Sequence, residues 1–153
     1  MHFEKAGQLQ RGVTLIELMI VIVILAVIAS FAYPSYMNYV VDTKRTAATS
    51  ILLQVADRQQ QFFMDNKRFT NDLTNLGFTA NPLVIADDGR SMASAAAADS
   101  TYSVALSNVT ATTYTVTAAP LNGQASRDAE CGSLTLNQAL VKGSSGGGGD
   151  CWK

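Results

Sequence analysis

From Leu18 to Ala29 the chain carries no polar side chain, and apolar character extends from Val13 to Tyr33 with Thr14, Glu17 and Ser30 as interruptions. Those 21 residues, as a helix, measure about 31 Å at 1.5 Å per residue, enough to cross the hydrocarbon of a bilayer. A chain of 153 residues leaves room for one ordinary domain beyond this segment. That domain is small and polar in character, with few aromatic and few charged residues. A net charge of −1 gives it no general electrostatic reason to bind nucleic acid or an anionic membrane surface. His2, the one histidine, lies at the extreme N-terminus, so a histidine-based triad, imidazole acid–base chemistry and multi-histidine metal sites are excluded. No phosphate loop, activated nucleophile or pair of catalytic carboxylates in an apolar setting is evident. The expectation is a protein that is not an enzyme and uses no cofactor or metal.

Lys5 and Arg11 precede the apolar run, and positive charge ahead of such a stretch marks an export or insertion signal. Two ordinary readings compete. Ser30-Phe31-Ala32 has the small-residue spacing of a conventional signal-peptide cleavage site, and the whole segment has the length of a simple anchor. Glu17 fits neither well, because an acidic side chain in hydrocarbon costs about 3 kcal/mol at mid-membrane and less near an end. It needs a partner.

The string Gly12-Val13-Thr14-Leu15-Ile16-Glu17 resembles the type III signal of type IV pilins and pseudopilins. The resemblance implies that a prepilin peptidase cuts after Gly12 and methylates the new amine of Val13, so the apolar helix stays in the mature protein. The amine then lies four residues from Glu17, and a cation in an apolar bundle needs an anion. Glu17 also sits near a helix N-terminus, where the macrodipole favours negative charge by about 0.3–1 kcal/mol. Val13 replaces the usual Phe or Met, and Ala26 stands where glycine is common. The division implied is a leader over 1–12, a transmembrane and assembly helix over 13–34, and a head over 35–153.

Pro34 removes an amide donor and crowds the carbonyl of Ser30, so a kink is expected there. Tyr33, Tyr36 and Tyr39 flank it as an aromatic belt. Beyond it Ala48, Leu52, Val55, Gln59 and Phe62 recur at helical spacing, with Asp42, Lys44, Arg45, Asp57 and Arg58 largely off that line, which predicts a helix to about Met64 with one core-facing stripe. Residues 66–100 carry turn signals and an alanine-rich stretch, Ala93 to Ala98, and read as a connector. Alternation at Tyr102/Val104/Leu106, Tyr114/Val116/Ala118 and Leu134/Leu136 predicts three or four antiparallel strands. The fold class is α+β: a long N-terminal helix, half membrane and half amphipathic, on a small antiparallel sheet. Tyr114 to Pro120, Arg127-Asp128, Cys131 to Asn137 and Cys151-Trp152-Lys153 resemble the C-terminal half of PilE-type minor pilins, covering most of the chain.

Two cysteines in an exported chain, Cys131 and Cys151, form one disulfide in the simplest reading. It would tie down a flexible glycine loop, Gly143 to Gly149, that cannot hold structure by itself. Asp87-Asp88-Gly89 offers far fewer oxygens than calcium takes and reads as a solvated turn. Asn108-Val109-Thr110 matches a glycosylation pattern but reads as a hairpin turn.

The expected function is a structural subunit of a type IV pilus, a minor pilin that helps prime or cap fibre assembly. Its partners would be other pilin subunits, the prepilin peptidase, the assembly platform and the cytoplasmic membrane. The precursor is placed in that membrane as a single pass with a periplasmic head, and the mature subunit in the surface fibre; motility, adhesion and DNA uptake are the family's end uses. The alternatives are a DNA-uptake pilin, with Arg90, Arg127, Lys142 and Lys153 against phosphates, and a type II secretion pseudopilin, against which the disulfide counts.

Overall fold

A computed structural model describes residues 12–92 and 98–152, with the side chain of Met92 excepted. The leader up to Arg11, most of the alanine-rich stretch and Lys153 lie outside the described residues. Helix α1 runs from Leu15 to Asn66, two residues past the expected end. Thr14 caps it: its Oγ1 accepts a hydrogen bond from the Glu17 amide at 3.3 Å, the geometry of a Thr-x-x-Glu start, with Glu17 as the first-turn acid. The helical assignment continues through Pro34 without interruption. At the far end Lys67 adopts φ 58° and its amide bonds the Phe63 carbonyl at 2.8 Å, a left-handed cap made without glycine.

The chain divides into two units, one ending at Asn38 and the other, the head, beginning at Tyr39. In the head, Ala48, Leu52 and Val55 on α1 are fully buried, as the stripe requires, and Gln59 joins them. The amide of Gln59 is satisfied inside the core: Nε2 donates to the Thr70 carbonyl at 2.7 Å and Oε1 accepts from the Thr70 amide at 3.2 Å. That closed pair explains how a polar residue takes a core position.

The sheet packed on this stripe has six strands in the order β2-β1-β3-β4-β5-β6, every neighbouring pair antiparallel. They span Leu83–Ala86 (β1), Ser91–Met92 (β2), Ser100–Ser107 (β3), Thr115–Pro120 (β4), Leu134–Asn137 (β5) and Lys142–Ser144 (β6). A short helix α2, Asn122–Arg127, connects β4 to the segment before β5. Register aligns Leu83, Val104, Ala118 and Leu134 across four strands, and Leu106, Val116 and Leu136 across three. Six of these seven side chains are buried and Leu106 is half-buried, while their odd-numbered neighbours on β3 to β5 are Ser, Thr, Ala and Asn. The period of two thus fixes which face meets α1. Leu52→Ala at the centre would cost about 2–5 kcal/mol.

Two expectations need correction. The sheet is larger than three or four strands, because β1 lies inside the segment read as a connector. All four residues of β1 are buried, so the run shows no alternation to betray it, and it follows a cis Asn81-Pro82 bond. The glycine run is also no free loop. Lys142–Ser144 forms the edge strand β6, and Ser145, Gly146 and Gly148 donate amides to Ser133, Cys131 and Glu130 at 2.9–3.1 Å. A Cβ at Gly148 would stand 2.8 Å from the Glu130 carbonyl oxygen, so glycine permits the close approach. The Cys131–Cys151 disulfide closes this arrangement with a Cα separation of 5.5 Å. Its 20-residue spacing corresponds to about 3 kcal/mol in the chain-entropy model.

Candidate assembly segment and head surfaces

Every large apolar residue of α1 from Leu15 to Phe31 is at least 49% exposed, Val21 being the most covered. An apolar side chain left in water forgoes about 1.5–3 kcal/mol of transfer free energy, so a helix of this composition calls for lipid or protein around it. The segment is long and apolar enough to cross a membrane. Gly12 and Val13 precede the helix and are exposed. Glu17 lies one helical turn farther on, its backbone fixed by Thr14. Tyr33, Tyr36 and Tyr39 are 64–70% exposed.

The head carries a polar latch that sequence reading did not assemble. The Asp128 side chain is fully buried at the end of α2. It accepts from Arg45 on α1 twice, from Nη2 at 2.5 Å and Nε at 3.1 Å, from the Tyr102 hydroxyl at 2.6 Å and from Gln124 Nε2 at 3.2 Å. Gln124 Nε2 also lies 3.3 Å from the Val41 carbonyl, and Arg45 Nη1 donates to Asp42 at 2.9 Å. Four donors on one carboxylate meet the condition for burying it. The hydrogen bond to Asp128 holds the Arg45 guanidinium above its ordinary pKa. Burial, reinforced by Asp128, raises the Tyr102 phenol well above its own. Arg127-Asp128 was legible only as part of a resemblance, since the partner of Asp128 on α1, Arg45, is 83 residues away.

The basic candidates fare differently. Arg90 is held by Asp88, Nε to Oδ2 at 2.5 Å, and that pairing lowers the carboxyl pKa of Asp88. Asp87 is taken by Lys44 at 2.5 Å, so the Asp87-Asp88-Gly89 turn spends its acids on internal cations. Arg127 and Lys142 make no ion pair among the described residues; Lys142 stands 5.5 Å over the Trp152 ring. Lys67 and Arg68, adjacent and exposed beyond α1, are equally without one, and two consecutive cations after a helix were the signal available for them. Arg68 borders a groove of about 500 Å³ with Phe62, Asn71, Asn75 and Thr110. Asn108, at φ 50°, opens the β3–β4 turn, where the Thr110 amide bonds the Thr113 carbonyl at 2.9 Å. The structure brings none of Arg90, Arg127 and Lys142 into a shared salt bridge or hydrogen bond.

Comparison with known proteins places each half separately. Residues 8–33 match the prokaryotic N-terminal methylation motif. Residues 34–135 match the family model described as type IV minor pilin ComP, DNA uptake sequence receptor. The chain is 31% identical over 78 residues to the type IV major pilin protein PilA of Myxococcus xanthus, covering 51% of this chain and 36% of that one. It is 34% identical over 91 residues to the type IV major fimbrial protein FimA of Dichelobacter nodosus, covering 60% and 57%. Over 67 residues it is 36% identical to the type II secretion system core protein G of Pectobacterium carotovorum, covering 44% and 43%. The aligned part thus spans between about a third and somewhat over half of these curated relatives.

Proposed function

The chain belongs to the family of the type IV minor pilin ComP, and we propose that it is a structural subunit of a type IV pilus, a minor pilin that helps prime or cap the fibre. One conjunction carries the reading: a methylation-motif match over residues 8–33 leads into a helix whose large apolar residues stay exposed. In this reading prepilin peptidase cuts between Gly12 and Val13 and methylates the Val13 amine. The helix then holds the subunit in the cytoplasmic membrane as a single pass, with its head in the periplasm. The assembly platform transfers it into the fibre, where α1 exchanges lipid for the helices of other pilin subunits. The Val13 cation and the Glu17 carboxylate neutralise each other there, within one subunit or between two. No step is catalysed by this chain, and no cofactor enters.

The test is the mature N-terminus of protein taken from sheared fibres. Mass and N-terminal sequencing should give a chain beginning at Val13 with one added methyl group. A chain beginning at Tyr33, or its absence from fibres, overturns the reading.

A second reading, DNA uptake, is favoured by the description of the matched family model as a DNA uptake sequence receptor. Its contacts would fall to Lys67, Arg68, Arg127 and Lys142, the cations without an ion pair among the described residues. Against it stands charge: removal of the leader takes Lys5, Arg11 and Glu4 away, leaving 9 positive and 11 negative side chains, a net of −2. Phosphate contacts impose a slope of about −0.9 per phosphate on log affinity against log salt. Full-length mature protein in detergent should show no salt-sensitive retention of duplex DNA at low micromolar concentration. Steep salt dependence, lost when Arg68 and Lys142 are replaced, would move the protein to the uptake reading.

A further inference from the structure

At the C-terminal end of α1 the head has a cleft whose polar groups the fold leaves uncommitted. Two grooves, of about 500 Å³ and about 250 Å³, adjoin there and share Phe62 and Asn75 as walls. Arg68 and Asn71 line the larger and Asp65 the smaller. Asp65 and Arg68 are three residues apart, the spacing at which opposite charges meet along a helix, yet neither makes an ion pair among the described residues. The left-handed turn at Lys67, φ 58°, ends α1 between them. Helix stability does not account for Asp65 either, since the last turn of α1 holds no cation and the macrodipole there disfavours an anion. Asn75 is set as an acceptor: its Nδ2 donates to the Thr70 hydroxyl at 3.0 Å, which leaves Oδ1 for a partner. Asn71 is engaged through its backbone carbonyl, which accepts from Asn81 at 3.2 Å, and its side-chain amide has no hydrogen bond among the described residues.

We propose that this cleft binds an uncharged carbohydrate, a chain of pyranose sugars. The proposal goes beyond the fibre-subunit reading and does not depend on it. Donors and acceptors together choose the ligand. Arg68 and the Asn71 amide donate, the Asp65 carboxylate and Asn75 Oδ1 accept, and the half-buried Phe62 ring lies between the two grooves. A sugar hydroxyl donates one hydrogen bond and accepts others, so neighbouring hydroxyls on one ring satisfy both sets while the C–H face of the ring packs on Phe62. A phosphate offers acceptors alone: it would meet Arg68 and be repelled by Asp65. An amine offers donors alone and fails in the opposite way. An extended peptide offers both, but it is held by a strand edge. The walls here are the end of α1, the 3-10 turn Leu73–Leu76 and the β3–β4 turn, which present none.

The experiment uses the full chain in a detergent without a sugar headgroup and reads saturation transfer by NMR to cellotetraose, maltotetraose and tetra-N-acetylchitotetraose. At least one of these should receive saturation on its ring protons. Asp65 and Arg68 are exposed and make no ion pair among the described residues, so Asp65→Ala and Arg68→Ala should leave the melting temperature unchanged. Each should weaken oligosaccharide binding by at least about tenfold, the weight of one charge-assisted hydrogen bond. The sign at Asp65 separates the ligand classes, because at a phosphate site the same substitution would strengthen binding. Competition with polysaccharide extracted from the envelope of the producing cells identifies the source. Displacement of the oligosaccharide places the ligand on the cell's own surface, its persistence places it on a foreign one, and both keep the site. Saturation transfer to none of the oligosaccharides, transfer unchanged by both substitutions, or displacement of the oligosaccharide by duplex DNA overturns the proposal and leaves the fibre reading standing.

Discussion

The two halves of α1 obey opposite rules. Up to Asn38 the helix is a nearly uniform apolar cylinder with no fully buried side chain, and its one acid, Glu17, is held by a backbone cap and no ion pair among the described residues. From Tyr39 onward the same helix is sorted: Val41, Ala48, Leu52 and Val55 face a core, and Arg45 meets a buried carboxylate through two of its nitrogens. In the first half, hydrophobicity is unspent and directed at partners outside the chain. In the second it is used within the chain, and charge is neutralised there too. An acid in the first half should therefore matter to assembly and not to folding, and an acid in the second half the reverse.

Glu17→Ala tests the first half and has the largest expected effect. Removing the counter-ion of the Val13 amine should cut fibre incorporation by more than about tenfold, because a cation left unpaired in an apolar bundle costs several kcal/mol. The thermal unfolding of the head should not move, since Glu17 is outside it. Quantifying the subunit in sheared fibres beside a melting curve gives both readings. A lowered melting temperature with normal incorporation would break the contrast.

Asp128→Asn tests the second half. Asparagine keeps the shape but leaves Arg45 buried with the half-exposed Asp42 as its remaining partner. Removing one member of a buried pair costs about 3–5 kcal/mol, and Asp42 should hold the loss near the lower figure. Chemical denaturation of purified protein checks it. Once allowance is made for the lowered fraction folded, incorporation should follow wild type.

How far these halves were legible in the sequence follows from the range of their interactions. The apolar segment and the Ala48–Phe62 stripe are local patterns read from composition and spacing, and Gly12 and Glu17 were singled out by the resemblance of one six-residue string. Strands β3, β4 and β5 announced themselves because each has one buried and one partly open face. Strand β1 did not, since it is covered on both sides. β6 is three residues of Lys, Gly and Ser whose strand character comes from pairing with β5 and from the disulfide beside it. The latch was invisible because Arg45 and Asp128 look like ordinary surface charges until α2 brings them together. Gln59 was placed on the stripe by its spacing, but the sequence did not show that Thr70 would satisfy its amide there.

The finest comparison lies within the head, between two buried tyrosines. The Tyr102 hydroxyl is enclosed by Asp128 and Gln124, while the Tyr114 hydroxyl, equally buried, has no hydrogen-bond partner among the described residues. A buried donor without a partner already bears its desolvation cost, so deleting it loses nothing. Tyr114→Phe should leave stability within about 0.5 kcal/mol of wild type or raise it. The substitution removes only the hydroxyl, so the edge-on ring contact that Tyr114 makes with Phe69 at 4.8 Å is retained. Tyr102→Phe removes a donor from a buried carboxylate and should cost about 1–3 kcal/mol. Alkaline titration separates them further. Burial raises both phenols, so the unfolded chain ionises first as pH climbs past the ordinary tyrosine value of about 10, and stability falls above that point. Below it, neither phenol contributes any slope. Denaturation curves at about pH 8 and about pH 11, either side of that value, should therefore show a smaller alkaline loss for Tyr114→Phe than for wild type. An equal loss would mean that the Tyr114 hydroxyl is reached by solvent in the folded head.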